Sequence, residues 1–247
     1  MKSWVWSQQW KDVLFLHWDV PIESLRPLVP PPLEIDTRDG AAWVSLVLFR
    51  LRVRPRWLPF LPWVSELVEV NLRTYVHFED RPGIWFLSAH ADNRWAIRLA
   101  RLLTPMPYEY AALRYERHGD AFRVQVGCGD PSAFPFLPTG REYVAEEHSL
   151  DEWLLERYRL FITGPSDLLL QAEVAHPPWA VRGVEGRVSG DGLGTRVGLD
   201  LARPPDRSHF SSGVAARFGG FRPVGSAAGS DLKTSPHSTN LVPAVRS

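Results

Sequence analysis

The segment LVEVNLRTYVHF, Leu67 to Phe78, puts Glu69, Asn71, Arg73, Tyr75 and His77 at every second position, with Val68, Val70, Leu72, Thr74, Val76 and Phe78 between them. An extended chain sends alternate side chains to opposite faces, so an acid, an amide, a guanidinium, a phenol and an imidazole share one face. Inside an apolar pocket, Arg73 is suited to grip a carboxylate through parallel N–H bonds, and Glu69, its pKa raised by burial, to pass a proton. Two plainer readings compete. The row faces water as a solvated sheet face, or Glu69 and Arg73 pair with each other and only close a wall.

Other chemistries are poorly served. Only Lys2, Lys11 and Lys233 are lysines, all near the termini, so amine catalysis, which needs a lysine in an apolar pocket, is not expected. The single cysteine, Cys128, excludes an internal disulfide and reads as a small core residue. Eight histidines include no closely spaced helical pair, and no metal site is expected. His17, set among Phe15, Leu16 and Trp18, reads as a satisfied core histidine rather than a base. There is no phosphate loop and no nucleophile elbow, and Gly190-Asp191-Gly192-Leu193-Gly194 reads as a hairpin turn rather than a dinucleotide fingerprint; no cofactor is expected.

The elements that must position the polar row are mainly strands. Period-two and β-branched stretches predict strands over Asp12–Val20, Ala41–Val53, Leu67–Phe78, Ile84–His90, Tyr108–Arg117 and Ala121–Cys128. Four more are expected at Arg159–Thr163, Leu168–His176, Gly183–Ser189 and Thr195–Leu201. Three short helices are expected: Pro21–Val29, stopped by Pro30-Pro31-Pro32; Asp92–Leu103, with Trp95, Leu99, Leu102 and Leu103 at helical spacing and Arg94, Arg98 and Arg101 on another side; and Ser149–Tyr158, opened by a capping box from Ser149 to Glu152. The apolar, proline-rich loop from Arg54 to Glu66, centred on Trp57 to Trp63, reads as a lid or a subunit interface.

Composition sets the frame: 45% hydrophobic and 23% charged residues describe a globular chain, and no apolar run approaches the length of a membrane span. Zero net formal charge argues against affinity for nucleic acid, and Arg50, Arg52, Arg54 and Arg56 read as one solvent-facing strand edge. The amino terminus lacks the pattern of a secretory signal. The expectation is a cytoplasmic protein without membrane or nucleic-acid partners, a single domain over 1–224, and a disordered tail from 225 to 247.

The ordered stretches LFLHWDVPIESLRPLVPPPLEIDTRDGAAWVSLVLF, EVNLRTYV, PGIWFLSAHADNRWAIRLAR with Pro107-Tyr108, and ERYRLF resemble the YqjF-like family of unknown function (DUF2071), within the acetoacetate decarboxylase-like superfamily. The resemblance runs from about Trp10 to Val224. It implies a mainly β (α+β) fold, a cone-shaped antiparallel β-barrel with a few short helices and an internal cavity. In that resemblance Tyr108 falls near the decarboxylases' catalytic lysine, Glu69 matches an acidic residue on a strand, and Arg26 becomes a cavity candidate. A phenol cannot form an iminium, so Schiff-base decarboxylation is not implied. The candidate ligand-binding set is therefore Arg26, Glu69, Asn71, Arg73, Tyr75 and Tyr108, for a small organic molecule bearing a carboxylate. The alternative is a non-catalytic interaction protein, a homo-oligomer docked through 57–63.

Overall fold

The structure, a computed structural model, describes residues 4–56, 65–127 and 132–227. Among the described residues fifteen strands follow in chain order: β1 (Trp6–Val20), β2 (Glu34–Ile35), β3 (Thr37–Arg38), β4 (Ala41–Pro55), β5 (Glu66–Phe78), β6 (Arg81–Ala91), β7 (Tyr108–Tyr110) and β8 (Ala112–His118). They continue with β9 (Ala121–Gly127), β10 (Ser132–Val144), β11 (Arg159–Thr163), β12 (Leu168–Ala175), β13 (Ala180–Gly186), β14 (Arg207–Phe218) and β15 (Arg222–Ser226). Short helices lie at Ile22–Leu25, Arg94–Leu103, Leu150–Leu155 and Asp191–Arg196.

The main path runs β12-β11-β6-β5-β4-β1-β14, and pairing of Val174 with Phe218 joins β14 back to β12. Those seven strands close into a ring. All neighbours in it are antiparallel except β6 and β11, which run parallel. From β14 the sheet continues through β13, β10, β9 and β8, which fold over the outside of β1, β4 and β5. The outer-face residues Leu14, Leu46, Leu48, Val70 and Leu72 pack there against Leu113, Phe122, Val124, Phe136 and Phe210. Both faces of the middle of β5 are consequently buried, one by this layer and one by the ring interior.

Several sequence expectations change. β4 is not a sheet edge, because it pairs with β1 on one side and β5 on the other; Arg50, Arg52 and Arg54 stand exposed on its outer face, where Arg50 donates to the Tyr115 carbonyl of β8 at 3.1 Å and lies over the Tyr115 ring. Gly190–Gly194 is not a hairpin turn and Thr195–Leu201 is not a strand: Asp191–Arg196 is a helix. A Cβ at Gly194 would come 2.7 Å from the Leu199 carbonyl oxygen, so the glycine is needed for the chain to return against this helix. Gly225 and Ser226, assigned to the tail, belong to β15, whose pairing with β12 satisfies their backbone. The aromatic loop over 57–63, Cys128 and residues 228–247 lie outside the described residues.

Candidate functional site

Every strand of the ring contributes to the wall of an internal cavity of about 350 Å³. From β1 come Val13 and Phe15, from β4 Val47, Phe49 and Leu51, and from β5 Leu67, Glu69, Asn71 and Arg73. The register explains the grouping: Asn71 lies beside Val47, and Val47 beside Phe15, so side chains of like orientation meet across three strands. The helix Arg94–Leu103 forms the roof, with Ala96, Ile97, Leu99, Ala100 and Leu103 on the cavity side. Its start is fixed by Asn93, whose side-chain oxygen accepts from the N–H groups of Trp95 and Ala96.

In this apolar enclosure Glu69, only 3% exposed, accepts a 3.0 Å hydrogen bond from Asn71 Nδ2 on one carboxyl oxygen and a 2.9 Å bond from the Tyr108 hydroxyl on the other. Burial raises the carboxyl from 4.5 to about 7, outweighing these two donors and the more distant charge of Arg73, which all favour the anion. The Tyr108 phenol is pushed well above its ordinary 10, by burial first and then by the facing Glu69, and stays a donor. Two residues that the resemblance placed separately thus form one polar unit.

Arg73 is half-buried in the wall, its guanidinium 6.0 Å from the centroid of the Phe15 ring. No carboxylate lies within ion-pair distance of it among the described residues, and Nε lacks a hydrogen-bond partner. Burial is the main influence lowering its pKa. A second guanidinium stands nearby: Arg157 donates from Nη1 to Asp36 at 2.7 Å and from Nε to the Trp153 carbonyl, and packs on Trp153 and Tyr75. Its Nη2 is left without a partner. His176, whose pKa burial lowers, completes the polar lining together with Gln8 and Arg159.

Two of the expected site residues lie elsewhere. Arg26 donates to the carbonyls of Val29, Pro30 and Leu33, holding the turn before β2, and does not line the cavity. Three successive prolines bring carbonyls but no N–H groups, and a guanidinium nearby satisfies some of that surplus. Tyr75 shares the face of Arg73 but sits fully buried beneath the cavity, where it bonds Ser45 Oγ and donates to the Leu154 carbonyl at 2.9 Å. His17 joins this floor through a 2.5 Å contact of Nδ1 with Ser45 Oγ, while its ring meets that of His209 at 5.3 Å. His77, at the far end of the row, leaves the interior and faces Glu34 at 3.8 Å.

Arg157 and His176 were not legible as site residues. The stretch ERYRLF that contains Arg157 marked the resemblance, and an arginine directly after a capped helix was the available signal. Among the described residues no three histidine, cysteine, aspartate or glutamate side chains converge as a metal site requires, and no helix is long and apolar enough to cross a membrane.

The fold is similar to that of acetoacetate decarboxylase from Legionella pneumophila subsp. pneumophila str. Philadelphia 1, at a TM-score of 0.67 and 11% identity over 90% of this chain and 88% of that one. It is also similar to the enduracididine biosynthesis enzyme MppR complexed with pyruvate, at a TM-score of 0.60 and 16% identity over 90% and 91%. In sequence, the uncharacterized protein YqjF of Bacillus subtilis (strain 168) is 38% identical over 213 residues, covering 84% of this chain and 88% of that protein. Residues 7–215 match the family DUF2071, described as "uncharacterized conserved protein". The chain is therefore a member of the DUF2071 family, with an acetoacetate decarboxylase-like fold.

Proposed function

We propose that this protein binds a small organic carboxylate inside the ring, with Arg73 as the anchor and Glu69 as a proton donor or acceptor to the bound molecule. The observation that carries the reading is a guanidinium in the wall of an apolar cavity without a carboxylate of its own among the described residues. A cation half-buried in an apolar wall is favoured by an anion that meets it, and a carboxylate matches its geometry. Arg157 Nη2 adds a further donor on the same side, and the aromatic walls suit an apolar body on the ligand. A cavity of about 350 Å³ falls at the small end of the range for ligand pockets.

Glu69, with a pKa of about 7, is divided between acid and carboxylate at neutral pH, as a group exchanging protons with a ligand should be. The reading includes no amine step: of the three lysines, the one within the described residues, Lys11, is exposed. Pyruvate in the MppR complex is a carboxylate held by a protein of this fold, and it supports the ligand class by analogy only. A panel of aliphatic and aromatic carboxylates, each paired with its primary amide, should be screened by thermal shift. Carboxylates that raise the melting temperature where their amides do not support the reading; equal effects across pairs count against it.

A further inference from the structure

The roof helix Arg94–Leu103 has a second face. Arg94, Trp95, Arg98, Arg101 and Leu102 recur at helical spacing, and all five point to solvent. Trp95 is 68% exposed and Leu102 80%, far more than large apolar side chains need to be on a helix already partnered on its other side. Of the four apolar residues at helical spacing, Leu99 and Leu103 line the cavity with Ala96, Ile97 and Ala100, whereas Trp95 and Leu102 are left outside.

The charge on that face is all of one sign. The helix carries three arginines and no acid, and none of the three has a carboxylate partner among the described residues. Arg98 lies over the Trp95 ring at 5.2 Å and Arg94 over the Tyr110 ring at 3.8 Å, so both cationic heads are spread on aromatic faces at the surface. Arg101 donates to the Tyr108 carbonyl and has less freedom.

We propose that the outer face of helix Arg94–Leu103 docks on an anionic lipid bilayer, with Trp95 and Leu102 entering the headgroup region and Arg94 and Arg98 meeting lipid phosphates and carboxylates. Charge complementarity selects this occupant. A two-fold symmetric pairing with a second copy would set the same arginines against each other. The segment over 57–64, WLPFLPWV, has no acidic residue to neutralise them. The arginines supply electrostatic attraction to anionic headgroups, and Trp95 and Leu102 supply apolar area to bury at the interface, the two contributions from which surface binding to such a bilayer is built. The docked helix is also the cavity roof, so apolar molecules dissolved in the bilayer would be presented beside the cavity.

The test is co-sedimentation of the full chain with phosphatidylcholine vesicles, with and without phosphatidylserine, beside light scattering of the protein alone. Binding to the phosphatidylserine vesicles at low salt, weakened by raised salt and lower by about thirtyfold in the Arg94→Gln/Arg98→Gln variant, is expected. Trp95→Ser/Leu102→Ser should weaken it independently of salt, and both pairs are exposed enough to leave the circular dichroism spectrum unchanged. Absence of binding at low salt, equal binding to neutral vesicles, or variants that bind like wild type would overturn the proposal. So would a dimer that these substitutions dissociate in a protein that ignores vesicles, since a second copy would then own the face.

Discussion

The Tyr108 hydroxyl lies 2.9 Å from Glu69 Oε2 and donates to it, bridging the segment behind the roof helix to the middle of β5. A phenol donor stabilises the carboxylate form more than the acid, so this bond restrains a pKa that burial drives up. In Tyr108→Phe the Glu69 carboxyl should titrate above 7. Infrared titration of the carboxyl stretch would read it, and an unchanged midpoint would disconnect the two residues.

Glu69 also makes folding stability depend on pH. Its folded pKa is raised above the unfolded value, so the associated stability is fully present below 4.5 and is lost as pH climbs through about 7. At full ionisation the loss is about 3 kcal/mol relative to Glu69→Gln. Urea denaturation of both proteins at pH 5 and pH 8 measures it; a difference that does not change with pH contradicts the raised pKa.

His17 acts in the opposite direction. Burial chiefly, with the charges of His209 and Arg73, holds its pKa well below 6.5. A base with a depressed folded pKa contributes stability above its unfolded pKa of about 6.5, lost as pH falls below it. His17→Gln should shift the slope of stability between pH 6.5 and pH 5 away from acid destabilisation, a slope to which His90 and His176, also depressed, add and which Glu69 opposes. An unaltered slope in the variant would mean that His17 takes up no proton on unfolding.

Arg26 provides a control. Because it serves the carbonyls of Val29, Pro30 and Leu33 and not the cavity, Arg26→Ala should cost about 1–3 kcal/mol of stability and leave ligand affinity as it is. A variant that keeps its stability but loses ligand would return Arg26 to the binding site.

Much of this fold was written locally. The alternation of Leu67–Phe78 announced β5 and Ser149 announced a helix start, while the helix expected over Pro21–Val29 is an α-turn at Ile22–Leu25 that tightens into a 3₁₀ turn at Arg26–Leu28. Three elements were hidden because their residues contradict their conformation. β10 contains Pro135, Pro138 and Gly140, β14 contains Ser-Ser-Gly, and the helix Asp191–Arg196 contains two glycines. Each is held by pairing or packing that no local pattern records. The site was half legible for the same reason: Glu69, Asn71 and Arg73 share a strand, whereas Arg157 and His176 reach the cavity only when β14 meets β12 and the ring closes. Tyr75 obeyed the alternation and still missed the cavity, since the Leu150–Leu155 helix covers that end of the ring and receives its hydroxyl.

The most direct measurement is calorimetric titration of a carboxylate taken from the screen, and of its primary amide, into wild type and Arg73→Gln. Wild type should prefer the carboxylate, and the substitution should weaken that ligand by about thirtyfold or more while hardly affecting the amide. Carboxylate affinity that survives Arg73→Gln in a folded variant contradicts an anion held by this guanidinium.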